Sequence, residues 1–199
     1  MEAQPYRQRL EARMTDIAER IIASEGLPAV QARRIAQEAD CSVGTLYNVF
    51  GGLDGLIIAV NRRSLAALGS RLSTAARGAG NTSACERLLV LALAYRDFAF
   101  EQKTRWRALF EHRMEQGVAV PATYRDEQTA LFVLVEQSLT HAVPGSPERA
   151  TAARALFAAV HGIVTLALDN KLGAEDADET ERQIRFLIGA AARGMEGAG

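Results

Sequence analysis

Apolar residues recur at intervals of three and four along almost the whole chain, and this spacing is typical of amphipathic α-helices. In the first such segment Leu10, Met14 and Ile21 fall on one face, and arginine and glutamate occupy the other. The alternation of apolar and polar residues that marks strands is rare. The sequence therefore predicts an all-α protein of about nine helices. Their expected ranges are Pro5–Ser24, Val30–Ala39, Val43–Val49, Leu53–Ala76, a fifth from Thr82 or Ser83 to Gln102, Thr104–Glu115, Ala122–Ala142, Pro147–Leu172 and Glu179–Met195.

Composition places the chain among globular proteins. Its 199 residues are 48% hydrophobic and 24% charged, which excludes a disordered or collagen-like chain. The most apolar run, Ala150 to Leu168, is interrupted by Arg154 and His161, so we expect no membrane span. The acidic start without an apolar segment predicts no secretory signal. Cys41 and Cys85 cannot form a disulfide framework, which favours a reducing cytoplasm.

Charge is distributed unevenly, although the net charge is only -1. Of the 23 basic residues only Lys103 and Lys171 are lysines, so the cationic chemistry is almost entirely that of arginine. The planar guanidinium group suits bidentate contacts with phosphate or guanine. Arginines outnumber acids over residues 1–77, so the N-terminal part is weakly basic and the remainder is acidic.

The first 50 residues contain three predicted helices, and a four-residue turn joins the second to the third. This arrangement is typical of a helix-turn-helix unit, whose second short helix can lie in the DNA major groove. Leu46 and Phe50 are spaced to face the core. The residues left for DNA are Ser42, Val43, Thr45, Tyr47 and Asn48. The alternative is that Tyr47 packs in the bundle and Ser42 merely caps the third helix.

The same region resembles the DNA-binding domain of the tetracycline-repressor (TetR) family. The residues that carry the resemblance are Ile17-Ala18, Ile21, Gly26, Arg33-Arg34-Ile35-Ala36, Ser42-Val43-Gly44-Thr45-Leu46-Tyr47 and Phe50. Two positions differ from the family pattern. Gln31 occupies the position of a Ser or Thr that contacts a DNA phosphate in the family, and Leu53 occupies the position of a Lys that contacts the DNA backbone. The phosphate contacts are therefore expected from Arg33, Arg34, Tyr47, Arg7 and Arg9.

The C-terminal part concentrates aromatic residues in the fifth to eighth helices. These residues could simply form a helical core, but the polar groups among them favour a ligand pocket. The expected ligand-binding residues are Trp106, Phe110, His112, Tyr124, Phe132 and His161. Trp106, Phe110-Glu111-His112-Arg113 and Val160-His161-Gly162-Ile163 also resemble the C-terminal domain of one branch of the TetR family. The expected effector is apolar or aromatic and at most singly charged, with its polar end at His161 or Tyr124.

Other chemistries find little support in the sequence. His112, His141 and His161 lack the short spacing of metal ligands, so neither a metal nor another cofactor is expected. No nucleophile motif, phosphate-binding glycine loop or dinucleotide fingerprint occurs, which argues against an enzyme.

The last two helices, about residues 147–195, carry apolar and small residues that could pack within one chain or allow a symmetric homodimer, and the TetR resemblance implies the homodimer. We expect a DNA-binding domain over residues 1–52 and an effector-binding and dimerisation domain over residues 53–199. The resemblance implies a transcriptional regulator, released as a repressor from a palindromic operator by an effector. A helical enzyme that binds a small molecule and an architectural DNA-binding protein without an effector remain the alternatives.

Overall fold

The computed structural model describes residues 3–80, 82–140, 142–143, 145–171 and 177–196. Every regular element within these ranges is helical, which confirms the all-α prediction. The α-helices are α1 (Ala3–Glu25), α2 (Ala32–Glu38), α3 (Val43–Phe50), α4 (Leu53–Ala79), α5 (Ala84–Glu101), α6 (Lys103–Glu111), α7 (Ala122–Ser138), α8 (Ser146–Leu168) and α9 (Ala177–Glu196). A short 3₁₀ helix over Leu27–Ala29 separates α1 from α2.

Several helix ends differ from their predicted positions. Helix α4 continues to Ala79, beyond its predicted end at Ala76, and stops where Gly80 adopts a φ of 62°. Helix α6 ends at Glu111 rather than Glu115, because His112 has an extended backbone (φ -65°, ψ 126°). Helices α7 and α8 end at Ser138 and Leu168, before the predicted Ala142 and Leu172, and Leu172 lies outside the described residues.

The helices form two compact units. One contains the residues up to Ala67 together with Gln102–Glu127, and the other contains Leu68–Glu101 together with the residues from Gln128 onward. The predicted division at residue 52 into a DNA-binding domain and an effector-binding domain stays a prediction.

The core of the first unit is built from one face of each helix that contributes to it. Its most deeply buried side chains are Met14, Ile21, Ile22, Ile35, Leu46, Leu56 and Val60. Helix α6 packs against α1, where Thr104 Oγ1 donates to the Ala23 carbonyl oxygen at 2.8 Å. Glu19 on α1 binds Arg63 of α4 and Arg105 of α6, each at 2.8 Å. Partly exposed ion pairs contribute at most about 1 kcal/mol each, so apolar burial is the main source of stability.

The second unit packs α5 against α8 and α9. Its buried residues include Leu88, Leu91, Tyr95, Phe98, Val160, Val164, Ile184 and Ile188. Arg96 of α5 binds Asp97 at 2.6 Å and Glu181 of α9 at 2.8 Å. Helix α8 has a mean hydropathy of 1.6 over its most apolar 18 residues, yet only 22% of that window is buried. Its length and composition would permit a membrane span, as they also do in core helices of many soluble proteins.

The junction between α3 and α4 is unusually tight. Gly51 ends α3 with a φ of 76°, and its amide donates to the Tyr47 carbonyl oxygen at 2.8 Å. A β-carbon at Gly55, in the first turn of α4, would lie 1.9 Å from the Phe50 carbonyl oxygen. Because that neighbour is backbone rather than a flexible side chain, only glycine fits at position 55.

Gly55→Ala should lower the free energy of unfolding by about 1–3 kcal/mol, because relief of the overlap requires a backbone shift. Gly78→Ala, in the same helix, is the matched control, since a β-carbon there meets no atom within 4 Å. The control should raise stability by up to about 1 kcal/mol through helix propensity. Urea denaturation of both variants measures the difference, and equal effects would contradict the close approach.

Candidate nucleic-acid interface and effector site

Helix α3 begins with a side-chain cap. Ser42 Oγ accepts a hydrogen bond from the backbone N–H of Thr45 at 3.1 Å, as predicted for an N-cap. The same hydroxyl lies 2.8 Å from Thr45 Oγ1, so the two hydroxyl groups are hydrogen-bonded to each other. This cap orders the turn between α2 and α3 and leaves both side chains at the protein surface.

Two opposite faces of α3 have different environments. Leu46 has no exposed surface and Phe50 packs partly against the same core. Tyr47 is 53% exposed and Asn48 is also exposed, while Val43 is half-buried. Tyr47 is therefore a surface residue rather than a member of the bundle core, and its ring and hydroxyl lie where a bound duplex could reach them.

The arginines expected to bind phosphate differ in their surroundings. Arg33 is exposed. Arg34 instead donates to both oxygens of Glu25, at 2.8 and 2.6 Å, and to Glu38 at 3.2 Å. These bonds raise the pKa of Arg34 and lower the pKa values of Glu25 and Glu38. A phosphate contact by Arg34 would have to compete with two carboxylates. The i,i+4 spacing of Arg34 and Glu38 was a sequence signal for one of these pairs, and the pairing with Glu25 had none.

Arg7 adds a second link to α3. Its Nη2 donates to the Asn48 carbonyl oxygen at 3.4 Å, across the surface between α1 and α3. The N-terminal part of α1 therefore brings a positive charge beside the exposed face of α3. Such a position agrees with the phosphate role expected of Arg7 from sequence.

Four of the six expected ligand-binding residues belong to the first unit. Trp106 is buried, and its ring centroid lies 5.2 Å from that of Phe110, which is 42% exposed. Tyr124 is buried, and burial raises the pKa of its phenol, whereas a hydrogen bond with the Asn61 side chain lowers it. Burial lowers the pKa of His112, and Asp54 partly offsets this effect.

Asn61 is a polar residue of this region that the sequence interpretation missed. It is 1% exposed, and its Nδ2 donates to the Ala108 carbonyl oxygen at 3.1 Å. Asn61 Oδ1 and His112 Nε2 are buried and have no hydrogen-bond partner among the described residues. The available signal was an asparagine at helical spacing between the apolar residues Ile57 and Leu65, because polar residues at core positions need a specific partner.

The other two expected ligand-binding residues, Phe132 and His161, lie in the second unit around Phe157. The ring of Phe157 lies 5.2 Å from that of Phe132 and 5.5 Å from that of His161. Tyr95, which was not expected here, has its hydroxyl 2.7 Å from His161 Nδ1. Burial lowers the pKa of His161. The aromatic cluster of Tyr95, Phe132, Phe157 and His161 thus pairs an apolar surface with a hydrogen-bonded imidazole.

No group of three or more His, Cys, Asp or Glu side chains in the described part of the chain is arranged to hold a metal ion. His112 and His161 belong to different units. The third histidine, His141, lies outside the described residues.

Two family models match the chain. Residues 15–60 match the description "Bacterial regulatory proteins, tetR family", and residues 88–191 match "Tetracyclin repressor-like, C-terminal domain". A curated relative is the HTH-type transcriptional regulator BetI of Brucella canis, which is 32% identical over 117 residues. That match covers 58% of this chain and 57% of the relative, so the chain aligns with little more than half of that protein.

Solved structures share the fold. A protein of unknown function from Rhodococcus sp. RHA1 has a TM-score of 0.75 at 23% identity, with 93% of this chain and 94% of that chain covered. A TetR-like transcriptional regulator from the same organism has a TM-score of 0.64 at 21% identity, with 94% and 96% covered. The C-terminal family model alone spans more than half of the sequence. The chain therefore belongs to the TetR family of transcriptional regulators.

Proposed function

We propose that this regulator is a homodimer that binds a palindromic operator through α3 and is released from it by a small effector. The main support for the proposal is that α3 has one buried and one exposed face. The helix begins at a turn capped by Ser42, buries Leu46 and exposes Tyr47 and Asn48. Thr, Asn and Tyr side chains can bond base edges and phosphates of a duplex. Because DNA is the partner, the proposed location is the cytoplasm.

Arg33, Arg7 and Tyr47 are the proposed phosphate contacts, and Val43, Thr45 and Asn48 the proposed base contacts. Ser42 orients the helix through its cap and remains available to the DNA backbone. Arg34 is proposed to act mainly by holding α2 in place, because its guanidinium already binds Glu25 and Glu38. This division assigns most of the sequence preference to α3 and most of the salt dependence to arginines.

A palindromic operator requires two copies of α3 about one DNA turn apart, roughly 34–36 Å. The proposed dimer contact is the surface of α8 and α9. Phe186 is 76% exposed there, and it borders an open groove of about 480 Å³ lined by Ile163, Glu179, Arg182, Gln183, Phe186 and Leu187. A β-carbon at Gly162 would meet no atom within 4 Å, so another helix has room to approach α8.

The proposed effector response is a shift between two conformers. A ligand releases DNA only if it binds more tightly to the conformer whose α3 helices are wrongly spaced for the operator. Helix α4 follows α3 directly and is the proposed lever. The proposed ligand contacts are Trp106, Phe110, His112 and Tyr124 in the first unit and Phe132 and His161 in the second.

Tyr47→Ala should weaken binding to every duplex, because it removes a phosphate contact. Asn48→Ala should mainly reduce the preference for the operator, by about 1–3 kcal/mol if it loses a good base contact. Fluorescence anisotropy on an operator selected from random DNA, and on a scrambled duplex, separates the two effects. Unchanged operator binding by Tyr47→Ala would show that α3 is not the DNA-contacting helix.

Arg33→Ala should reduce the slope of log affinity against log salt concentration by about one, because one phosphate contact is lost. Arg77→Ala removes the same charge from the exposed last turn of α4 and is the matched control. The control should leave the slope unchanged. Equal slopes for both variants would assign the phosphate contacts to other residues.

Ala159→Glu should convert the dimer to monomers or aggregates, because it places a carboxylate without a partner inside the proposed contact. Ala130→Glu adds the same charge at an exposed position of α7 and should leave the mass unchanged. Sedimentation velocity at micromolar concentration measures both. A wild-type mass of one chain would contradict the dimer and the operator geometry together.

A further inference from the structure

Four polar side chains of the first unit converge beneath its surface. Asp54 and Asn61 lie two turns apart on one face of α4, His112 follows α6, and Tyr124 lies on α7. The Ala108 carbonyl oxygen accepts from both Asn61 Nδ2 at 3.1 Å and the His112 backbone N–H at 3.4 Å. His112 Nε2 is 3.4 Å from Asp54 Oδ1. We refer to Asp54, Asn61, His112 and Tyr124 as the polar cluster.

Two atoms of the polar cluster lack the hydrogen bonds that buried polar atoms normally have. Asn61 is 1% exposed and the side chain of His112 is 8% exposed. Neither Asn61 Oδ1 nor His112 Nε2 has a hydrogen-bond partner within the described part of the chain. Unpaired atoms at this depth are uncommon in folded proteins, so we expect their partner to come from outside the chain, as a water molecule or a bound compound.

Both atoms can accept a hydrogen bond. The Ala108 carbonyl oxygen can only accept, so the amide nitrogen of Asn61 faces it and the orientation of Oδ1 is fixed. Burial lowers the pKa of His112, which favours the neutral imidazole. A neutral imidazole can carry its proton on either nitrogen, and a donor that binds between Nε2 and Asp54 requires the tautomer with the proton on Nδ1.

The charges around the polar cluster disfavour an anion. The charged groups that act on His112 and Tyr124 are the carboxylates of Asp54 and Glu127, respectively. Glu127 is compensated by Arg62, whose Nη2 donates to it at 2.6 Å. Asp54 accepts the backbone N–H of Glu115 at 2.8 Å. The charge that acts on His112 is therefore negative.

Aromatic side chains lie on the helix that carries the Ala108 carbonyl group. Trp106 and Phe110 lie on α6 on either side of Ala108, with ring centroids 5.2 Å apart, and Phe110 reaches the surface. Aromatic rings contact apolar groups and also attract cations through their faces. A compound bound here would meet aromatic carbon at one end and hydrogen-bond acceptors at the other.

We propose that the polar cluster binds the hydrogen-bond-donating end of the effector, which is an aromatic or apolar compound bearing an amino or hydroxyl group and not a carboxylate. Asn61 Oδ1 and His112 Nε2 accept from this group, and Asp54 favours a positive charge on it. The inference rests on the proposed function in one respect, namely that the bound compound is the effector. Asn61 and Asp54 become ligand-recognition residues that the sequence interpretation did not include.

Four probes that share a phenyl ring test this chemistry: 2-phenylethylamine, 2-phenylethanol, phenylacetate and ethylbenzene. Trp106 is the sole tryptophan, so its fluorescence reports binding to the full-length protein. The amine or the alcohol should bind at least about tenfold more tightly than ethylbenzene, a ratio that one or two good hydrogen bonds provide. Phenylacetate should bind most weakly. Equal affinity for all four probes, or tightest binding of phenylacetate, would overturn the proposal.

Two variants locate the site. Asn61→Leu and His112→Phe should each remove the preference for the amine and the alcohol over ethylbenzene. Thr15→Val is the matched control, because Thr15 is also buried but its hydroxyl already donates to the Glu11 carbonyl oxygen at 2.8 Å. The control should keep the preference. A preference that persists in both cluster variants would place the binding site elsewhere.

A measurement on the wild type does not depend on whether these variants fold. The ¹⁵N signal of His112 Nε2 should shift when 2-phenylethanol is added, because the nitrogen gains a hydrogen bond, and ethylbenzene should not cause this shift. An unchanged signal at saturating alcohol would overturn the proposal.

Fluorescence anisotropy on operator DNA distinguishes failure of this proposal from failure of the proposed function. DNA binding without binding of any probe refutes only the effector site at the polar cluster, and probe binding without DNA binding refutes only the proposed function.

Discussion

The close approach of the Gly55 backbone to the Phe50 carbonyl oxygen is the constraint on which the rest of the first unit depends. It joins the end of α3 to the start of α4 with no space for a side chain between them. Leu46, which has no exposed surface, holds the middle of α3 in the same core as Leu56 of α4. A displacement at the start of α4 must therefore move α3. Further along α4, Asn61 bonds to the Ala108 carbonyl oxygen of α6. The contacts from α3 through α4 to α6 are continuous within one packed body.

Charge pairing in the first unit separates arginines that hold the fold from arginines that can bind a partner. Arg34 and Arg20 both bind Glu38, and Arg63 binds Asp16 and Glu19. These guanidinium groups are occupied by the protein itself. Because the chain has few lysines, arginine must serve both purposes. Net charge alone is thus a poor guide to nucleic-acid affinity in this protein.

The helices could be predicted from sequence because burial of one helical face imposes a regular spacing on apolar residues. The N-cap of α3 at Ser42 and the end of α3 at Gly51 could be predicted as well, because each depends only on neighbouring residues. The end of α6 could not, because the residues after it are held by Asp54, which is distant in sequence. The same limitation applies to the site. Tyr95 and Asn61 acquire their importance from His161 and Ala108, which only the folded chain brings near them.

Helix α8 buries only 22% of its apolar window, and this has a consequence for how the regulator would respond to its own abundance. In the proposed dimer, that surface is covered only when two chains meet. Dimer formation follows mass action, so at low concentration the amount of DNA-binding species rises with the square of the number of chains. Operator occupancy would then change steeply over a narrow range of expression. A cell could set the threshold of the switch by controlling synthesis of the protein, independently of any effector.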